Sequence, residues 1–117
     1  PTLIRYQTLS GNDVIPTATV EVEAHGQRRT ASAVGNGPLD AALKAIDLAL
    51  GLSLELLDWH TRAVSSGKDA LAEVTVRVRH RDQETVGQAA STDSIEASLK
   101  AYLSAIGAAE RAVEVAA

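Results

Sequence analysis

The stretch Thr19-Val20-Glu21-Val22-Glu23-Ala24 alternates strictly, with Val20, Val22 and Ala24 on one side and Thr19, Glu21 and Glu23 on the other. A side-chain period of two with one apolar face marks a half-buried antiparallel strand. The pattern returns 56 positions later, where Val74, Val76 and Val78 stand opposite Thr75, Arg77 and Arg79. Held without gaps, the same offset sets Gln27 on Gln83, Ala33 on Ala89, and Ala41-Ala42-Leu43-Lys44-Ala45 on Ala97-Ser98-Leu99-Lys100-Ala101. It also sets Ser10-Gly11-Asn12-Asp13 on Ser66-Gly67-Lys68-Asp69, Ala49 on Ala105 and Gly51 on Gly107. The chain reads as a tandem duplication.

Working outward from the alternating strand, each half repeats one order of elements. A first strand is expected near Leu3–Leu9 and its counterpart near Leu54–Val64. After the alternating strand, His25-Gly26 and Arg81-Asp82 occupy the places of short hairpin turns. Third strands of small residues come next, at Thr30–Val34 and Thr85–Ala89. Gly35-Asn36-Gly37-Pro38 signals a helix start, because Pro at the first helical position gives up only an N–H that has no partner there. Leu39, Ala42, Leu43, Ile46, Ala49 and Leu50 form the apolar stripe, and Gly51 ends it. In the second half Asp93 caps, with Glu96 three residues on, and Ile95, Leu99, Tyr102, Leu103 and Ile106 form the stripe. The expected architecture is α+β: two tandem βββα units related by a pseudo-twofold, each three-stranded antiparallel sheet packed on helices. Unit one covers about 1–52 and unit two about 53–117, within a single domain of 117 residues. Leftover apolar surface on such a duplicate favours pairing as a symmetric dimer.

Composition narrows the function classes. Phe, Met and Cys are absent, so the core must be built from Leu, Ile, Val and Ala, which favours close approach of elements, and disulfides and thiolate chemistry are excluded. The net charge is −4 with no basic stripe, which speaks against nucleic acid as a partner. No apolar run has the roughly 20 residues of a membrane-spanning helix, and Pro1–Tyr6 does not resemble a signal peptide. A chain opening on Pro1 suggests a piece of something longer.

The sequence offers no convincing catalytic cluster. His25, His60 and His80 are widely spaced, whereas a metal site needs several convergent ligands, so they read as turn and strand-face residues. Ser65-Ser66 has no nucleophile-elbow context and reads as turn chemistry. Asp40 reads as helix N-terminal charge, Asp47 as part of a solvated helix face, and Asp58 as strand-edge solubility. Gly35-Asn36-Gly37 opens a helix, and helix starts bind anions through free N–H groups, but it matches neither a dinucleotide fingerprint nor a P-loop.

Three motifs, in order, carry a family resemblance across nearly the whole chain. Gly35-Asn36-Gly37-Pro38-Leu39-Asp40-Ala41-Ala42 resembles the turn and helix start of the 2-isopropylmalate synthase C-terminal domain. Ser66-Gly67-Lys68-Asp69-Ala70 is similar to a turn of that domain, and Ser91-Thr92-Asp93-Ser94-Ile95-Glu96-Ala97-Ser98-Leu99-Lys100-Ala101-Tyr102-Leu103 to its closing helix.

The resemblance implies a non-catalytic regulatory domain over 1–117, a cytoplasmic homodimer that binds L-leucine, or another branched-chain amino acid, for feedback inhibition. The parent enzyme would condense acetyl-CoA with 2-oxoisovalerate in a TIM barrel that uses a divalent metal. That barrel and its metal ligands are absent here, so the chain itself is expected to take no cofactor or metal. Carried over position by position, the ligand would lie between the units near the dimer interface. Gly35, Asn36, Gly37 and Leu39 would line one wall, Leu56, Trp59 and Ala63 would come from the strand opening the second half, Ala70 and Ala72 from the next, and Ser94 from the second helix start. Trp59 stands where the family usually has Tyr, and Ser94 where it often has Ile or Val; either could redirect ligand choice. The isoleucine-regulated citramalate synthases share this domain and supply the rival ligand, while a dimerisation module without a ligand is the rival class.

Overall fold

The computed structural model describes residues 1–64, 67 and 70–116. The chain forms two compact units, Pro1–Ser53 and Leu54–Ala117. In the first, β1 (Thr2–Leu9), β2 (Thr17–Ala24) and β3 (Gln27–Val34) precede α1 (Pro38–Leu50). In the second, β4 (Glu55–Ala63), β5 (Ala72–His80) and β6 (Gln83–Ser91) precede α2 (Ser94–Ala116). Each sheet is antiparallel in the order of its chain, β1-β2-β3 and β4-β5-β6. The fold is α+β, built of two βββα units.

The alternation read from the sequence is the alternation of burial. Val20, Val22, Val74, Val76 and Val78 are buried, while Arg77 and Arg79 are exposed. The two hairpins close through residues in the left-handed region, His25 and Gly26 in one, Arg81 and Asp82 in the other. Two successive positive φ values give the turn twist that continues a right-handed ladder. Pairing therefore resumes at once, and β3 and β6 begin at Gln27 and Gln83, earlier than Thr30 and Thr85.

The first strands of the two units match at a different offset from the rest. Tyr6 faces Val20 and Trp59 faces Val76, so β4 corresponds to β1 displaced by 53 positions rather than 56. The connection after β4 takes up the difference. The repeated Ser66-Gly67-Lys68-Asp69 turn falls there, and all of it but Gly67 lies outside the described residues.

The helices end differently although glycine stands at both matching positions. Gly51 adopts φ 67, and the amides of Gly51 and Leu52 return to the carbonyls of Leu48 and Asp47, which closes α1. Gly107 lies inside α2, which continues to Ala116. The Ala108-Ala109-Glu110-Arg111-Ala112 run directly after it is made of strong helix formers, and together they outweigh the roughly 1 kcal/mol that one Gly costs.

Burial in α1 falls on Ala41, Ala42, Ala45, Ile46 and Ala49. Leu39, Leu43 and Leu50, expected in the stripe, are only half-buried. In α2 the alanines Ala97, Ala101, Ala105 and Ala109 are buried beside Leu99, Tyr102, Leu103 and Ile106. The alanine sides win because small residues let backbones approach. Gly87 on β6 shows how closely: a Cβ there would overlap the Ala101 carbonyl oxygen and the Ala105 amide of α2. Beside it, Thr85 Oγ1 donates to the Ala105 carbonyl at 2.9 Å.

Candidate functional site

The turn from β3 into α1 is folded tightly on its own helix. A Cβ on Gly35 would meet the Asp40 carboxylate at 2.6 Å and the Ala41 Cα at 2.8 Å. The Gly35 amide donates to the Pro16 carbonyl at 3.0 Å, fixing the turn to the start of β2. Asp40 Oδ2 accepts the Asn36 amide at 2.9 Å and pairs with Lys44 Nζ at 3.1 Å. Gly37 is the N-cap, extended at φ −171, with open space around its Cβ position and no side-chain cap on the helix amides. Leu39 is half-buried just inside this start.

The amide of Asn36 first, and then Lys44, holds the Asp40 carboxyl below its ordinary value of 3.8. A carboxylate whose folded-state pKa is depressed adds stability above its unfolded value and loses it as pH falls through the depressed one. Asp40→Asn should therefore lower the urea midpoint at neutral pH, and the gap from wild type should close as pH is lowered from about 5 toward 2. A gap independent of pH would contradict this assignment.

The second helix starts differently. Asp93, the counterpart of Gly37, places Oδ1 2.9 Å from the Ile95 amide and 3.3 Å from the Glu96 amide. Glu96 turns outward to Lys100 Nζ at 2.7 Å, and the Asp93 amide donates to Ser91 Oγ at 3.1 Å. Of the two helix starts, α2 has its first-turn amides capped by a side chain and α1 does not.

On β4, a bulge decides which residues share a face. Leu56 faces Val78 and Trp59 faces Val76, with the register shifting between Leu56 and Asp58. The extra residue, Leu57, brings two side chains three apart in sequence onto one side. Ala63, facing Ala72, lies on that side too. This face continues the buried row Val74, Val76, Val78, but α2 packs over β5 and β6, and Leu56 and Trp59 remain 40% and 38% exposed. Ala70, expected on the strand after β4, lies instead in the connection, since β5 begins only at Ala72, and is half-buried.

Trp59 and Ser94 are joined through a residue given no role in the sequence reading. Trp59 Nε1 donates to Ser98 Oγ at 2.9 Å, and Ser98 Oγ donates to the Ser94 carbonyl at 2.8 Å. Ser98 is 1% exposed. The sequence held one signal for it: at the repeat offset Ser98 falls on Ala42, a polar residue on a buried apolar position.

The structure thus gathers Gly35, Asn36, Gly37 and Leu39 in one turn of the first unit. It gathers Leu56, Trp59, Ala63 and Ala72 on one face in the second, where the backbone carbonyl of the exposed Ser94 is linked to Trp59 through Ser98. A cavity of about 280 Å³ beside Arg5, Gln7 and Glu21, and an open groove of about 430 Å³ along Val34 and Leu48, lie elsewhere in the first unit, and none of these residues lines them.

The outer sheet faces are laced with ion pairs. Arg5–Glu21 (2.9 Å), Arg62–Glu73 (2.8 Å) and Arg77, between Asp58 and Glu84, run across the strands. Asp58, read as a solubilising charge at a strand edge, lies on the edge strand β4 in an exposed ion pair with Arg77. The Asp58 carboxylate, and less so Glu84, raises the Arg77 pKa. Exposed pairs of this kind add little stability each. Among the described residues no three His, Asp or Glu side chains group as metal ligands, and no helix is long and apolar enough to cross a membrane.

Comparison with known proteins gives these features a family. The 2-isopropylmalate synthase of Ruminiclostridium cellulolyticum is 46% identical over 101 residues, covering 86% of this chain and 20% of that protein. Those of Aquifex aeolicus and Methanocaldococcus jannaschii are each 42% identical, over 92% and 89% of this chain and 21% and 20% of theirs. The chain spans about a fifth of the length of these relatives. The family model described as the LeuA allosteric (dimerisation) domain matches residues 2–109. By that match the chain belongs to the LeuA allosteric (dimerisation) domain family, a regulatory and not a catalytic unit.

Proposed function

We propose that the chain is the leucine-binding sensor of a 2-isopropylmalate synthase, through which the pathway's end product inhibits the enzyme. The catalytic barrel, which would condense acetyl-CoA with 2-oxoisovalerate with the help of a divalent metal, lies outside this chain. The sensor itself needs no cofactor, acts as a cytoplasmic homodimer, and passes its signal to the catalytic domain.

The observation that carries the reading is the difference between the two helix starts. Asp93 supplies α2 with a carboxylate cap, while the start of α1 has no side-chain cap on its amides and open space at the Gly37 Cβ position. A free amino acid brings a carboxylate that suits such a start. Within the second unit, taken by itself, the half-exposed apolar face of Leu56 and Trp59 suits a branched aliphatic side chain. Linkage between ligand and quaternary arrangement then transmits the signal, at a coupling typically of about 1–3 kcal/mol.

Thermal denaturation with each branched-chain amino acid tests the proposal. At a free concentration a hundredfold above Kd, a ligand adds about 2.7 kcal/mol, a rise in Tm of roughly 10 °C for a chain of this length. The largest rise is expected with leucine. Because one methylene is worth only about 1–3 kcal/mol of discrimination, a larger rise with isoleucine would move the chain to the citramalate branch. A dimer by sedimentation with no shift for any of them would leave a dimerisation module and end the sensor reading.

A further inference from the structure

We propose that Ser98 is a positioning residue for the amino-acid site: it anchors the Trp59 indole to the first turn of α2 and so fixes the apolar β4 face on which the ligand's side chain would rest. The inference deepens the sensor reading and rests on it.

The chemistry of the anchor is complete at Ser98. A hydroxyl carries one donor and can accept; here it accepts the indole N–H at 2.9 Å and donates to the Ser94 carbonyl at 2.8 Å. Back-bonding from a serine to the carbonyl four residues earlier is common in helices and by itself needs no partner. The second bond, to Trp59 on another element, is what makes Ser98 more than a helix residue. Its burial matters as well. At 1% exposure no water competes for the hydroxyl, whereas the indole, 38% exposed, would turn its N–H to solvent if the hydroxyl were removed.

The consequence for a ligand comes from the geometry of one bond. Trp59 has a single polar atom, and with that atom tied inward the ring presents only apolar surface along the face it shares with Leu56. Released, the ring gains rotamer freedom and a polar edge on the same face. A ligand would then have to order the ring on binding, and affinity would fall without loss of any direct contact between Ser98 and the ligand.

Trp59 is the chain's single tryptophan, so its emission reads the anchor directly. The experiment uses the chain as wild type, Ser98→Ala, Trp59→Phe and the double variant, with leucine as the probe. Without ligand, Ser98→Ala should shift the emission to the red, toward a solvated indole, while far-UV circular dichroism stays unchanged. By calorimetry, leucine affinity should fall roughly tenfold in Ser98→Ala, the equivalent of one lost hydrogen bond's 1.4 kcal/mol. Trp59→Phe should lose affinity too, and the double variant should be no worse than the poorer single one, because both delete the same bond. Unchanged emission, unchanged leucine affinity in Ser98→Ala, or additive losses would each overturn the positioning role while leaving the sensor reading intact. If wild type itself takes up no leucine, the sensor reading fails first, and the positioning role falls with it.

Discussion

Gly87→Ala is expected to destabilise the second unit by about 3 kcal/mol or more, at the upper end of what one added methyl does to a packed interior. The reason lies in what the methyl would strike. Its place is taken by the Ala101 carbonyl oxygen and the Ala105 amide, with the Ala105 Cβ at 3.0 Å. Helix backbone cannot rotate aside as a flexible side-chain end does, so α2 would have to lift from β6. Lifting it would also strain the Thr85–Ala105 hydrogen bond and loosen the buried row of Leu99 and Ile106 over the sheet. At the repeat offset the first unit carries Ala31, so β3 accepts a Cβ where β6 does not. Urea denaturation of Gly87→Ala beside Gly37→Ala provides the contrast. Gly37 has open space and extended backbone, so Gly37→Ala should stay within about 1 kcal/mol of wild type, the difference between a glycine and an alanine N-cap. Equal stabilities for the two variants would contradict the described packing of α2.

Gly37→Asp is expected to abolish leucine binding, an effect of roughly a hundredfold or more, while leaving the fold as stable as wild type or up to about 1 kcal/mol more so. The molecule already contains the precedent. Asp93 occupies the matching position before α2 and caps it through the Ile95 and Glu96 amides. An aspartate at position 37 would cap α1 in the same way, and its negative charge favours a helix start. The amides offered to a ligand carboxylate would then be taken, and the new carboxylate would repel the incoming one. A variant that gains stability and loses its ligand cannot be explained by unfolding.

Much of the fold was legible because the duplication says everything twice. The valines of β2 and β5 and the alanine-leucine runs of α1 and α2 confirm each other, and the hairpins at His25-Gly26 and Arg81-Asp82 close where they were expected. What escaped were features that break the repeat or the period. Leu56 and Trp59 are three apart, so period-two reading sends them to opposite faces, and only the bulge at Leu57 brings them together. Gly107 matches Gly51 by position, but whether a glycine stops a helix depends on the helix propensity of the residues beyond it. Leu39, Leu43 and Leu50 outrank alanine in hydrophobicity and so claimed the stripe of α1, whereas close backbone approach put the alanines deepest. The candidate site residues, Gly35–Leu39 and Ser94 among them, were named mainly from family resemblance. Ser98 stood unassigned inside one of those motifs, since a hydrogen bond to a residue 39 positions away leaves no local trace.

Titration calorimetry of leucine into the chain, run in parallel on wild type and Gly37→Asp, bears most directly on whether this is a sensor. The account predicts saturable heat from wild type and none from the equally folded variant. Silence from wild type at millimolar leucine, or the same affinity in both proteins, would contradict it.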